Sequence, residues 1–262
     1  MEIRWLSLFA DVPADRMDAA LEFWTAATGT RTGPPEGEAG EFVPLRPADG
    51  DTWLWVQRLG TGRPGWHLDL HVPDPEAAAA RAAALGASAV RSGDGLRVLA
   101  TPAGQQFCLV AEDAGRPRRR AAPPRFGAHR SLADQLSLDL PAGAFETDAG
   151  FWAAFTGWPR RGPDGSEFDR LAVPGPLPAQ LLLQRLDPDA PEGAHAHLDF
   201  SADDRDAEVE RHRALGAEPV RRTRQWTTLR DPAGLVYCVT RRRTGERFGM
   251  DTGARMGTPS GT

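Results

Sequence analysis

The chain contains one sequence pattern twice. The segment Trp66-His67-Leu68-Asp69-Leu70 recurs as Ala196-His197-Leu198-Asp199-Phe200, 130 residues further along. Other segments recur in the same order at spacings of 127 to 130 residues: Phe23-Trp24 with Phe151-Trp152, Gln57-Arg58-Leu59 with Gln184-Arg185-Leu186, Leu85-Gly86-Ala87 with Leu215-Gly216-Ala217, Pro102-Ala103-Gly104 with Pro232-Ala233-Gly234, and Cys108 with Cys238. Loop insertions and deletions produce such small differences in spacing, so the sequence predicts a tandem duplication.

The duplication divides the 262 residues into two domains of ordinary size. We predict a first domain over residues 1–111 and a second over 132–241. Between them, residues 112–131 are rich in Arg and Pro, which is typical of a solvated, semi-extended linker. Residues 242–262 carry little apolar material and are predicted to form a flexible tail.

Composition narrows the class of protein and its surroundings. The apolar fraction of 40% and the charged fraction of 26% are those of a globular protein. A net charge of −5 without a broad basic face argues against nucleic acid as a partner. We find no apolar run of membrane-spanning length and no secretory signal, and the two cysteines make no disulfide framework. The expected location is the cytoplasm, without membrane association.

Each repeat has the pattern strand, helix, strands, then again strand, helix, strands. In the first copy, helices are predicted to begin near Asp15 and at the cap Asp74, and to end at Gly29 and Gly86. In the second copy the predicted helices cover Phe145–Thr156 and Ala207–Leu215, and the first strand covers Gln135–Leu140. Each half-repeat is therefore a βαβββ-like unit.

These motifs resemble the vicinal oxygen chelate (VOC) superfamily, which includes glyoxalase I, extradiol dioxygenases and bleomycin-resistance proteins. The resemblance covers residues 4–111 and 133–241, and it is closest to the glyoxalase-like branch. It implies an α+β fold of two tandem VOC-like domains, each built from two βαβββ units that form a curved sheet around a cavity. Because family members often pair domains by dimerising, the resemblance also implies a monomer or a homodimer.

Metal-dependent members of the superfamily place ligands at four strand positions, and this sequence departs from that set. His67 and His197 match one position. The first-strand position falls near Ser7 or Leu8, and near Ser137 in the second copy, so its usual His is missing. The last strand has Cys108 and Cys238 in place of Glu, and the end of the first unit offers Gln57 and Gln184. We therefore expect no metal ligands and no cofactor.

Strand alternation predicts which side chains face the cavity. It places His67, Asp69 and His71 on one face, and His195, His197 and Asp199 on the corresponding face of the second copy. A His and an Asp two residues apart can act as an acid–base pair, so His67/Asp69 and His197/Asp199 are the catalytic candidates. The same residues could instead form a structural brace or ligate a metal.

Further residues are candidates for ligand contact. Trp53, Trp55 and Gln57 are predicted to share a strand face that suits a flat ligand, and Gln184 is the counterpart of Gln57. His71, His195, Cys108 and Cys238 are expected on the cavity face; a free Cys there is either a nucleophile or a small buried apolar group. Trp226 has no close counterpart in the first copy, which indicates that the two cavities differ.

The leading hypothesis is a metal-independent protein of the glyoxalase-like or bleomycin-resistance-like kind that binds an organic, aromatic small molecule. The alternative is a lyase or isomerase that uses a His/Asp pair for glyoxalase-type, cyclisation or dehydration chemistry, with or without a divalent metal. A third reading, a scaffolding module, predicts cavities filled by side chains.

Overall fold

The computed structural model describes residues 1–93, 95–112, 117–162, 165–190 and 193–247. Its strands in the first copy are β1 Trp5–Pro13, β2 Arg31–Thr32, β3 Phe42–Arg46, β4 Leu54–Leu59, β5 Gly65–Val72, β6 Ser88–Gly93, β7 Leu96–Ala100 and β8 Gln106–Ala111. Those in the second copy are β9 Arg125–Phe126, β10 His129–Leu140, β11 Phe168–Leu171, β12 Gln180–Arg185, β13 His195–Ala202, β14 Glu218–Arg222, β15 Trp226–Arg230 and β16 Val236–Thr240. The α-helices are α1 Met17–Thr28, α2 Pro75–Ala84, α3 Phe145–Thr156 and α4 Arg205–Ala214.

The strands form one mixed sheet for each copy of the repeat. The order in the first sheet is β2-β3-β4-β1-β5-β8-β7-β6. The second sheet has the equivalent order β11-β12-β10-β13-β16-β15-β14, with β9 paired to β10. In the first sheet β1 lies between its parallel neighbour β4 and its antiparallel neighbour β5. In the second sheet β10 lies in the same way between β12 and β13. The predicted α+β fold of two tandem βαβββ-based domains is confirmed.

Helices α1 and α3 occupy equivalent positions and end in the same way. Their C-terminal residues are followed by Gly29 with φ 65° and Gly157 with φ 76°, and both glycines are left-handed. Only glycine adopts that conformation without steric cost, which explains why both glycines recur in the repeat. The first helix differs slightly from the prediction, because Ala14–Arg16 forms a 3-10 turn before α1 begins at Met17.

Helices α2 and α4 begin at aspartate caps. The Asp74 carboxylate accepts a hydrogen bond from the Ala77 N–H at 3.0 Å, and Asp204 accepts one from Ala207 at the same distance. Such a cap satisfies a backbone donor that the helix leaves free. Because Asp204 is the cap, α4 begins two residues before the predicted start at Ala207.

The end of the predicted linker is part of the second sheet. Residues 125–126 form β9 against His129 and Arg130, and residues 131–133 pair with β13, so β10 begins at His129 rather than at the predicted Gln135. Earlier in the linker, Arg119 and Asp51 exchange backbone and side-chain hydrogen bonds, both at 2.7 Å. Of the predicted tail, residues 242–247 are described and the rest lie outside the described residues. The Arg247 guanidinium donates to three backbone carbonyls of residues 175–179.

The first helix of each copy packs against the sheet of the other copy. The Trp24 ring on α1 lies 5.2 Å from Tyr237 and 6.3 Å from Phe200, both in the second sheet. Correspondingly, Trp152 on α3 lies 5.1 Å from Phe107 in the first sheet. Both helices are thus shared between the two domains, and their aromatic side chains form a common core.

Two buried carboxylates connect the copies across this core. Asp231 accepts a hydrogen bond from the Trp24 indole at 2.7 Å, and Asp148 accepts one from the Thr101 hydroxyl at 2.6 Å. Burial raises the pKa of Asp231 to about 6, although its hydrogen bonds oppose that shift. Within the described ranges, each helix is too short or too polar to cross a lipid bilayer.

Candidate functional site

One face of each sheet is polar. On β5 the buried apolar residues Trp66, Leu68 and Leu70 alternate with His67 and Asp69. On β13 the same alternation places His197 and Asp199 opposite Ala196, Leu198 and Phe200. We call the face that carries these histidines the polar face of each sheet; the other face packs into the shared core.

The neighbouring first strand adds a second carboxylate to each histidine. Asp11 on β1 lies 2.6 Å from the Nδ1 atom of His67, and Asp69 lies 3.4 Å from its Nε2 atom. In the second domain, Asp139 lies 2.5 Å from Nδ1 of His197, and Asp199 lies 3.3 Å from Nε2. We call these sets the first triad (Asp11, His67, Asp69) and the second triad (Asp139, His197, Asp199).

The flanking carboxylates keep both histidines protonated. Burial alone would lower the pKa of His67, but the hydrogen bonds to Asp11 and Asp69 and their charges raise it to about 10. The pKa of His197 is also raised well above its ordinary value, against the effect of burial, by Asp139 and its other neighbours. Burial raises the pKa of Asp11 too, although the hydrogen bond and the charge of His67 act in the opposite direction. An imidazolium donates through both nitrogens and cannot act as a general base at neutral pH.

The two cysteines lie beside the triads and are protonated as well. Cys108 is next to Asp69 in the pairing of β5 with β8, and Cys238 is next to Asp199 in the pairing of β13 with β16. Burial raises the pKa of both thiols, and for Cys108 the charge of Asp69 acts in the same direction. Because the thiolate is the nucleophile, neither thiol is activated. This favours the small buried group over the nucleophile.

The second triad is also the place where the chain could hold a metal. Donor atoms of His197, Asp199 and Cys238 lie within 4.8 Å of one another, as do those of the corresponding residues of the first domain. Gln135 donates to Asp199 at 2.5 Å, while its amide oxygen is buried without a hydrogen-bond partner among the described residues. Such N, O and S donors fit a divalent metal, with Asp139 orienting the histidine ring. A metal would have to displace protons from His197 and Cys238. The expected absence of a cofactor therefore stays a prediction.

A cavity of about 390 Å³ opens over the second triad. His197, Asp199 and Cys238 form part of its floor. One wall is aromatic, because Phe168 and Trp226 meet edge to face with ring centroids 5.7 Å apart. The remaining lining residues are Gln135, Arg170, Leu182, Gln184, Gln225, Thr240, Arg241, Arg242 and Glu246.

In the first domain an aromatic side chain covers the equivalent surface. Phe9 stacks on His67 at 4.7 Å between centroids, with the rings 4° from parallel, and lies 5.7 Å from Trp55. Phe9 faces His67 in the strand register as Ser137 faces His197. Ser137 is fully buried, and its partner in β12, Leu182, lines the cavity at the position that Trp55 occupies in the first domain.

The other predicted ligand contacts divide into three groups. Trp55 stacks in the aromatic cluster of the first domain, with Gln57 paired to Asp11 in the neighbouring strand. Trp53 lines a separate cavity of about 220 Å³ between the first sheet and the linker. Gln184 lines the second-domain cavity. His195 is not among the residues that line it, and its Nε2 atom lies 3.4 Å from Asp139.

His71 belongs to a different cluster from the first triad. Its Nδ1 atom lies 2.5 Å from Glu112, and its Nε2 atom lies 2.8 Å from the Ser7 hydroxyl. Glu112 in turn accepts two hydrogen bonds from the Arg118 guanidinium, at 2.5 and 2.8 Å. The structure therefore places His71 in a network that ties the linker to β1 and β5.

Sequence reasoning did not identify Asp11, Asp139, Phe168, Arg170 or Arg242 as site residues. A signal for the two aspartates was present. Asp11 and Asp139 are 128 residues apart, the same spacing as the repeated Phe-Trp pair, and each lies near the C-terminal end of its strand. The positions of Phe168 and Arg170 needed the register of β11, which no repeated motif reports.

Comparisons with known proteins agree with this architecture. A family model described as a glyoxalase-like domain matches residues 7–110 and 135–240. Among solved structures, a mutant of 4-hydroxymandelate synthase from Streptomyces coelicolor is 19% identical with a TM-score of 0.59, over 95% of this chain and 94% of that one. The Mn(II)-bound glyoxalase from Novosphingobium aromaticivorans is 16% identical with a TM-score of 0.58, over 91% and 81% of the two chains.

A third solved structure with a similar fold is named for a different activity. The 2,2',3-trihydroxybiphenyl 1,2-dioxygenase from Sphingomonas wittichii strain RW1 is 15% identical with a TM-score of 0.55, over 91% of this chain and 90% of that chain. A comparison with curated proteins found no match. At such identities the similarity to solved structures concerns the fold alone.

Proposed function

The chain belongs to the glyoxalase-like domain family, within the vicinal oxygen chelate superfamily, and on this premise we propose that its second domain binds a small organic molecule without a catalytic metal. The observation that carries the proposal is the cavity of about 390 Å³ over the second triad. Its volume falls in the usual range of small-molecule sites. The first domain, with Phe9 over its triad, serves as a structural partner.

The lining of the cavity supports a flat, partly apolar ligand. Phe168 and Trp226 form one wall, and Leu182 adds an aliphatic surface. Aromatic rings gain from offset or edge-to-face contact beyond the area they bury. Polar contacts come from Gln184 and from the amide oxygen of Gln135, which accepts no hydrogen bond from the described residues.

Metal independence is supported by the protonation of the second triad. Both nitrogens of His197 are directed at carboxylates, and the pKa of the ring is raised. The buried thiol of Cys238 is held in its neutral form by a raised pKa. In this state the second triad is a rigid polar floor that helps to shape the cavity.

A second candidate is a metal-dependent lyase or isomerase, and the donor set favours it. His197, Asp199 and Cys238, with the amide oxygen of Gln135, would hold a divalent ion. When bound there, such an ion would act as a Lewis acid on a ligand oxygen. The same carboxylates that hold a proton on His197 would attract the cation.

The cavity is tested by a variant that recreates the first domain. Leu182→Trp places an indole where Trp55 lies in the first copy, at a residue that lines the cavity, so we expect it to abolish binding. Binding of a panel of bicyclic aromatic compounds is measured by quenching of tryptophan fluorescence and by thermal shift. The matched control is Val90→Trp, which adds the same ring at an exposed position of β6. A panel without any binder, or unchanged binding by Leu182→Trp, would refute the proposal.

Metal independence is tested on the same protein. We expect untagged protein to contain far less than one equivalent of Zn, Mn, Fe or Ni by elemental analysis, and to bind ligands equally after EDTA treatment. A stoichiometric metal, with binding lost when it is removed and restored when it is added back, would replace this part of the proposal with the second candidate.

A further inference from the structure

The second-domain cavity has arginines on its polar face. Arg170 follows Phe168 by two residues on β11, and alternation directs both side chains to the cavity. Arg242 follows Thr240 by two residues just beyond β16, and it lines the same cavity. Arg241 contributes a third guanidinium to the lining.

The equivalent positions of the first domain carry no positive charge. Arg170 is paired with Leu182 in the strand register, as Pro44 is paired with Trp55, so Pro44 is its counterpart. The 130-residue spacing of the last strands makes Glu112 the counterpart of Arg242. Positive charge therefore accompanies the open cavity and is absent where Phe9 covers the triad.

Carboxylates lie close to the basic groups of the cavity. Asp199 is engaged by Gln135 and His197, and Glu246 is exposed at the rim. Outside the lining, Asp134 accepts a hydrogen bond from Arg242 at 2.7 Å, and Asp139 pairs with His197. The lining itself contributes three arginines and two carboxylates.

The charges of Arg170 and Arg242 also repel each other, which is seen in the pKa of Arg170. Burial lowers the pKa of Arg170, and the charge of Arg242 lowers it further, with Asp169 acting in the opposite direction. Two like charges at one partly buried site are stabilised when an anion lies between them. A carboxylate suits this place, because a guanidinium can donate two parallel hydrogen bonds to it.

We propose that the ligand of this cavity is an aromatic carboxylate, with its anionic group between Arg170 and Arg242 and its ring against Phe168 and Trp226. This inference rests on the proposed function, because it names the class of ligand for the same cavity. Arg170 and Arg242 are then the residues that select an acid over its neutral analogue.

The test compares two probes of nearly equal shape. At pH 7 2-naphthoate is an anion, and 2-naphthamide is its neutral isostere. In the full chain with EDTA present, we expect titration calorimetry to give at least tenfold tighter binding of 2-naphthoate. Arg170→Met should reduce 2-naphthoate affinity at least tenfold and leave 2-naphthamide unchanged. The control Arg213→Met removes the same charge from an exposed position on α4 and should change neither affinity.

A second variant keeps the test decisive if Arg170→Met is poorly folded. Glu246→Gln removes an exposed carboxylate from the rim, so 2-naphthoate should bind two- to threefold more tightly, with 2-naphthamide unaffected. Equal affinities of the two probes would overturn this inference and leave the proposed function standing. If neither these probes nor the wider aromatic panel bound the chain, both proposals would fail.

Discussion

Replacing His67 with glutamine should remove a pH dependence of stability that the first triad creates. The pKa of His67 is about 10 in the folded chain, whereas an unfolded histidine titrates near 6.5. Because the folded pKa is the higher one, the stabilisation is fully present below about pH 6.5 and is lost as pH rises towards 10. Between these values the folded state holds one proton more than the unfolded state, which costs about 1.4 kcal/mol of stability per pH unit. From pH 7 to 8.5 the loss is about 2 kcal/mol.

Urea unfolding followed by tryptophan fluorescence measures this effect. The free energies of unfolding of the native sequence and of His67→Gln are compared at pH 7 and at pH 8.5. Groups that titrate alike in both proteins cancel, so the stability difference between the two proteins should shrink by about 2 kcal/mol. Asp11→Asn should reduce the pH dependence in the same direction, because it removes the closer carboxylate. A difference that stayed constant over this range would refute the assignment of an imidazolium to the first triad.

Three further predictions concern the core, the cysteines and the end of helix α1. Trp24→Phe leaves the buried Asp231 carboxylate without its indole donor, which should lower the unfolding free energy by about 1–3 kcal/mol in urea titrations. Cys108 and Cys238 are buried with raised pKa values, so iodoacetamide should label them at least tenfold more slowly in native than in urea-unfolded protein; equal rates would contradict this. Gly29→Ala forces a side chain into φ 65° and should lower the free energy of unfolding by roughly 1–2 kcal/mol in thermal unfolding. The comparison is Ala26→Gly, inside the last turn of α1.

The fold was accessible from the sequence because the repeat constrains it twice. Motifs such as Phe23-Trp24 and Phe151-Trp152 mark the same helix in both copies, and Gly29 and Gly157 end these helices at equivalent points. Such local motifs can be recognised in a sequence without knowledge of tertiary contacts. Strand boundaries that depend on pairing partners were less accurate, as with β10, whose first residues form strand by pairing with β9 and β13.

The candidate site was predictable only in part. Alternation along β5 placed His67 and Asp69 on the same face of the strand. The second carboxylate, Asp11, comes from β1, and its contact with His67 depends on the register between the two strands. The raised pKa of His67 depends on that second contact, which acts against the effect of burial, and a sequence pattern reports neither of them. The acid–base role assigned to His67/Asp69 and His197/Asp199 therefore stays a prediction, and the raised pKa of each histidine argues against a general base.

Ligand contact was harder to predict because it depends on which side chain fills the space. Phe9 and Ser137 occupy equivalent positions, as do Trp55 and Leu182, so two rings of the first domain are replaced by smaller side chains in the second. Trp53 was grouped with Trp55 by its spacing, yet it precedes β4 and lines another cavity, because alternation holds only within a strand. The predicted cytoplasmic location and the predicted monomer or homodimer stay predictions.

The placement of α1 and α3 on each other's sheets has a consequence for how the chain can be divided. Either half alone would leave aromatic residues such as Trp24 or Phe107 without the surfaces that cover them. The two halves should therefore melt in a single cooperative transition. A backbone cut between residues 117 and 124 would sever only a connection along the surface, so the two fragments should remain associated and reassemble after being unfolded together.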